Sequence, residues 1–167
     1  MKKLVIMFVA IVCASAAIAQ SKTVEDFQNK YKDDRDAKVV SVNGGLFHLL
    51  AEITSWDESD EEAMAFSRIA ENIKGVKIVA IPLYKSGFGH NEIDQMLEDL
   101  KKENYEELMT AKEGDERFYF LTQGSKDAIK NMLVLVREDD EFAVISVDGT
   151  MQMKDLSFFI KHHKDWH

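Results

Sequence analysis

The sequence predicts an α+β fold: a mainly antiparallel sheet of about five or six strands with a C-terminal β-meander, and helices packed on the sheet. Three observations lead there. Residues 116–147 alternate between their two faces in three short runs, Glu116–Gln123, Asn131–Arg137 and Glu141–Val147, separated by turn-forming stretches. Residues 76–83 are nearly all apolar, as in a strand central in its sheet or covered on both faces. Ile93, Met96, Leu97 and Leu100 recur at i, i+3, i+4 and i+7, the stripe of an amphipathic helix.

The chain opens with a targeting pattern. Lys2 and Lys3 precede an apolar run from Leu4 to Cys13, and Ala17-Ile18-Ala19 fits small-x-small cleavage. Residues 1–19 therefore read as a signal peptide, Gln20 as the new N-terminus, and residues 20–167 as a single α+β domain. The run is shorter than the about 20 apolar residues of a membrane span. Val12 before Cys13 lacks the small side chain that lipoprotein processing requires. Cleavage removes the one cysteine, and with it thiol catalysis, disulfides and thiolate metal sites. It also takes the net charge from −9 to about −11. So acidic a surface disfavours nucleic acid. The expected destination is the periplasm or cell envelope, with secretion left open, and no transmembrane segment remains after cleavage.

The remaining elements follow in order. Thr23-Val24-Glu25-Asp26 resembles a capping box, and Val24, Phe27 and Tyr31 extend it into a helix over residues 23–32. Asp33-Asp34-Arg35-Asp36 reads as a solvated turn, since it lacks the spacing of a calcium loop. Lys38–Asn43 is a β-branched strand stopped by Gly44-Gly45, and Leu46, Phe47, Leu49, Leu50 and Ile53 begin a helix. His48 within that run is expected to pack in or beside the core. Ser59-Asp60-Glu61-Glu62 caps a further helix whose buried face is Ala63, Phe66, Ala70 and Ile73, and Gly75 ends it. Pro82 marks the end of the apolar strand. Phe88, between Gly87 and Gly89, is either a ring that pins a loop or the contact residue of a lid. Asn91 caps the striped helix, and a strand over 105–112 leads through Gly114-Asp115 into the meander. Asp148-Gly149 is expected to turn the chain into a last helix whose stripe is Met153, Leu156, Phe159, Ile160 and His163, one cover for the sheet. Residues 39–44 and 144–149 nearly repeat, Val-Val-Ser-Val-Asn-Gly against Val-Ile-Ser-Val-Asp-Gly; the frequency of such strand ends favours coincidence.

The motifs of known chemistries are missing. There is no nucleophile elbow, no His-Glu-x-x-His and no phosphate-binding glycine pattern, and no catalytic, cofactor or metal residue is assigned. His162, His163 and His167, with Asp165, form the one imidazole cluster, and a solvated terminus explains them better than a metal site.

Taken together, the leader, Phe27…Tyr31 with Val39-Val40-Ser41-Val42, the Tyr105-Glu106-Glu107-Leu108-Met109 segment and Asp139-Asp140-Glu141-Phe142…Ile145-Ser146…Gly149 resemble the domain of unknown function 4252 family. These are small exported proteins, mostly of Bacteroidota. The resemblance implies an envelope location and an α+β fold, and it brings no catalytic residues.

The first functional expectation is a non-catalytic binding module for a protein partner or a small apolar ligand. The alternative is a metal-independent hydrolase-type enzyme using His48 with an Asp or Glu in a solvent-accessible cleft, and the weaker one is metal handling by the C-terminal histidines. Burying Leu156, Phe159 and Ile160 should contribute about 1.5–3 kcal/mol each. Phe159→Ala should therefore lower the melting temperature clearly, and an unchanged value would remove that helix from the core.

Overall fold

The computed structural model describes residues 21–54, 61–125 and 127–154. In chain order these form α1 (Lys22–Tyr31), β1 (Lys38–Asn43), α2 (Gly44–Thr54), α3 (Glu61–Ala70), β2 (Ile73–Pro82), α4 (Leu83–Ser86), α5 (His90–Lys102), β3 (Glu106–Glu113), β4 (Glu116–Gly124), β5 (Ala128–Arg137) and β6 (Glu141–Gln152). The strands make one antiparallel sheet in the order β1-β2-β6-β5-β4-β3. The α+β expectation and the C-terminal meander are both present, and β3 joins the meander as its outer strand.

Strand alternation sorts the side chains into two unequal faces. Val79 and Ile81 of β2, Val144 and Phe142 of β6, Leu133 and Leu135 of β5, and Leu121 of β4 share the first face by register. All are buried beneath Val24, Phe27 and Tyr31 of α1 and Ile93, Met96 and Leu100 of α5. The second face carries an apolar row across all six strands: Val40, Ile78, Ile145, Val134, Phe120 and Met109. Its four inner members are half-buried and its two ends are exposed. Complete cover of residues 76–83 on both faces is thus not what the structure shows; β2 owes its apolar run to sitting between two strands with one face fully packed.

Four rings lock the upper end of the first face. Phe88 stacks on Phe142 with centroids 4.6 Å apart, and Phe27 meets both edge-on at 5.6 and 5.7 Å. Tyr31 lies 5.0 Å from Phe27. The Gly87-Phe88-Gly89 segment is therefore pinned by a buried ring, the first of the two readings offered for it. At the opposite end, Glu103 Oε1 accepts from Thr23 N–H at 2.9 Å and from its hydroxyl at 2.7 Å. One carboxylate thereby joins the start of α1 to the end of α5.

Several local expectations are corrected. Ser21, not Thr23, caps α1, its hydroxyl accepting from Val24 N–H at 3.1 Å, because Thr23 is engaged by Glu103. Gly89, not Asn91, precedes α5, and its N–H donates to Glu92 Oε2 at 2.7 Å. Gly44 opens α2 rather than ending a strand in a loop. Ile73 and Gly75 belong to β2, since α3 ends at Ala70, and Phe66 is exposed rather than part of a buried stripe. Asp148-Gly149 is not a turn: β6 runs on to Gln152, with register shifts against both neighbours. A Cβ at Gly149 would lie 2.5 Å from Asn72 O, so glycine is required there by close backbone approach.

The repeated segments are the two neighbours of one strand. Both pair with β2, one on each side, in identical register: Ser41 and Ser146 flank Lys77, Val42 and Val147 flank Val76, and Asn43 and Asp148 flank Gly75. Ser59-Asp60 and residues 155–167, with the last-helix stripe beyond Met153, lie outside the described residues.

Phe142 is fully buried and touches two other rings. Phe142→Ala should cost about 3–5 kcal/mol in urea unfolding. A loss below about 1 kcal/mol would contradict the aromatic lock.

Candidate functional site

Two surfaces stand apart from ordinary packing. The first is a polar row across the lower end of the first face. Register places Asn43, Gly75, Asp148, Asn131 and Gln123 side by side on β1, β2, β6, β5 and β4. The row above it begins Ser41, Lys77 and Ser146. Asn131 and Ser146 are buried, and hydrogen bonds satisfy them: Asn131 Nδ2 donates to Gln123 Oε1 at 2.7 Å, and Gln28 Nε2 donates to Ser146 Oγ at 3.3 Å. Gln123 Nε2 in turn donates to Glu103 O at 2.7 Å. The row thus anchors the α5–β3 connection to the sheet through amides.

Gly75 carries no side chain between Asn43 and Asp148, which leaves an open cavity of about 270 Å³ lined by Ser41, Asn43, Gly75, Lys77 and Asp148 among others. Burial pushes the Asp148 carboxyl above its ordinary range, and Lys77 and Lys74 partly oppose that shift. Burial likewise raises the Tyr105 phenol, with Asp148 and Glu103 adding to it. A half-buried carboxylate beside a lysine can hold a small polar group. Among the described residues no three His, Cys, Asp or Glu gather as a metal site would require.

The second surface is the α2–α3 pair. The two helices approach through small residues: Ala51, Ala65, Ser67 and Ala70 are buried, and Ser67 Oγ donates to Ala51 O at 3.0 Å. Leu46, Leu49, Leu50 and Ile53 make an i, i+3, i+4, i+7 stripe that faces outward, with exposures of 48, 53, 37 and 49%. Met64 and Phe66 of α3 are exposed as well. A helix whose apolar stripe points to solvent inverts the usual arrangement, and contiguous apolar surface on a protein marks an interaction site.

The residues singled out from sequence fall as follows. His48 is exposed on α2, not packed in the core and not in the wall of the Asp148 cavity. It lies three positions before the buried Ala51 and is itself exposed. Phe88 belongs to the aromatic lock. The C-terminal histidines lie outside the described residues. Sequence reasoning missed both surfaces. The near-repeat, with Asn43-Gly44 and Asp148-Gly149, was the available signal for the first; the second needed knowledge of which side of α2 meets α3.

The model of a family described as "Domain of unknown function (DUF4252)" matches residues 31–159. The chain belongs to that family. No curated protein and no solved structure matches it. The match spans β1 through β6, so the sheet and both surfaces lie within the family region. No helix among the described residues is long and apolar enough to cross a membrane.

The raised Asp148 carboxyl has a sign that can be checked. Its charged form is disfavoured in the folded chain, so ionisation opposes folding at neutral pH, and the penalty vanishes as pH falls below the unfolded-state value near about 3.9. Asp148→Asn should be more stable than the parent at pH 7, with the difference shrinking steadily toward pH 4. A pH-independent difference in urea midpoints would assign the effect to another cause.

Proposed function

We propose that the protein is an exported, non-catalytic binding module of the cell envelope, which engages a protein partner through the α2 stripe. The outward-facing Leu46, Leu49, Leu50 and Ile53 carry this reading. Export rests on the leader pattern of residues 1–19.

The shape of the stripe selects the ligand class. A convex helix surface cannot enclose a small apolar molecule, which needs a concave pocket. Anionic membrane surfaces are repelled by a chain of net charge −9. A protein with an apolar groove and a neutral or basic rim satisfies both constraints, in the manner of helix-in-groove recognition.

Leu49→Asp tests this. Leu49 is more than half exposed, so the change leaves the core intact. Native mass spectrometry of protein isolated from its own envelope fraction should show a stoichiometric protein adduct that Leu49→Asp loses. The control Tyr84→Asp, at another exposed position, should keep it. Identical adducts in parent and Leu49→Asp, or a bound species of small-molecule mass alone, would overturn the proposal. The same spectra report whether the chain begins at Gln20.

A further inference from the structure

We infer that the cleft between α5 and the outer strand β3 is a second binding site, and that it takes an organic cation: a compact apolar body carrying an ammonium group. The site is separate from the α2 stripe, since β3 forms the edge of the sheet opposite β1, from which α2 departs.

The cleft lies where the cover provided by α5 ends. Ile93, Met96 and Leu100 of the helix are buried in the core that includes Leu121 of β4. The next strand out, β3, is exposed along its whole length. Between helix and strand is a cavity of about 630 Å³, within the size range of small-molecule pockets. Its apolar part is the buried Tyr105 and Leu121 with the half-buried Leu97. Register places Glu107 beside Leu121 on the first face of the sheet.

The connection that shapes the cleft is fixed. Asn104 takes a left-handed φ of 64°, which asparagine tolerates better than most residues. Tyr105 N–H donates to Leu100 O at 3.0 Å, and Asn104 N–H to Lys101 O at 3.1 Å. Gln123 Nε2 holds the neighbouring Glu103 O. A cleft framed by these bonds is preformed, so a ligand does not have to order it.

Charge selects the ligand. Glu98 and Lys101 line the cleft from α5, and Glu106 and Glu107 line it from β3. Three carboxylates thus stand against one ammonium. Glu107 Oε1 accepts from the Thr110 hydroxyl, which orients that carboxylate. The cleft also lies at the C-terminal end of α5, where the helix dipole favours positive charge. Anions are repelled on both counts. A neutral apolar molecule would cover the floor but draw carboxylates out of water with nothing to pair them. An ammonium on an apolar body meets both demands. Its body lies on Leu97, Tyr105 and Leu121, and its charge sits between Glu98 and Glu107.

An NMR titration of the isotope-labelled full-length chain with three indoles of similar shape tests this. Tryptamine, the cation, should give saturable amide shifts centred on Leu97–Glu107 and Leu121. Uncharged ethylindole should bind about tenfold more weakly, and the anion indolepropionate not at all. Glu98→Gln and Glu107→Gln should each weaken tryptamine about two- to fivefold. Glu113→Gln, which alters an acid of β3 outside the cleft, should leave it unchanged. Absence of saturable shifts, shifts centred elsewhere, equal binding of the three indoles, or Glu98→Gln and Glu107→Gln binding as the parent does would each overturn the inference. None of these outcomes bears on the protein adduct that Leu49→Asp tests.

Discussion

The architecture depends on one burial event: α1 and α5 closing over the first face of the sheet. Fifteen of the described residues are buried in that cluster, and they come from both helices, four strands and two connections. At about 1.5–3 kcal/mol for each large side chain buried, no other contact among the described residues is of comparable weight. The aromatic lock and the Thr23–Glu103 hydrogen bonds work at its two ends and fix the antiparallel alignment of α1 and α5. The polar row then marks where this core stops, since its amides must find partners as soon as they leave water.

The second half of the fold obeys a different economy. α2 and α3 meet through alanines and a serine, which permits close approach but removes little apolar area. Leu46, Leu49, Leu50, Ile53, Met64 and Phe66 are left exposed. The same sequence pattern thus means core in α5 and exposed surface in α2. In α5 the stripe is Ile93, Met96 and Leu100, all buried; in α2 the stripe is Leu46, Leu49, Leu50 and Ile53, all exposed. Function in a binding protein is expected where the pattern and the packing part company in this way.

Legibility from sequence follows from range of interaction. Strands β4, β5 and β6 could be read because alternation is a local property, and helix α5 because its stripe repeats within its own length. Phe88 could be placed as a pinning ring because glycines on both sides leave little else to hold the loop. What was not legible depended on distant neighbours. The cap of α1 passed from Thr23 to Ser21 because Glu103, eighty residues away, claims Thr23. The Asp148-Gly149 pair looked like a turn, and only the backbone of Asn72 explains why a glycine sits inside a strand. The apolar run around His48 predicts a packed residue, but Ala51 is the buried residue of that helix and His48, three positions before it, stays exposed.

The two edges of the sheet are unlike. β3 is exposed along its whole length, yet it carries Glu106, Glu107, Lys112 and Glu113, and a register shift between Glu107 and Met109 interrupts its ladder. Charges and a bulge make a poor template for a further strand. β1 has one charge, Lys38, and an uninterrupted ladder to β2, but it is short and runs directly into α2 at Gly44. Sheet extension from neighbour to neighbour is therefore discouraged chemically on one side and by brevity on the other. The exposed leucines and isoleucine of α2 thus sit on a helix, apart from strand edges that offer a neighbouring strand no continuation.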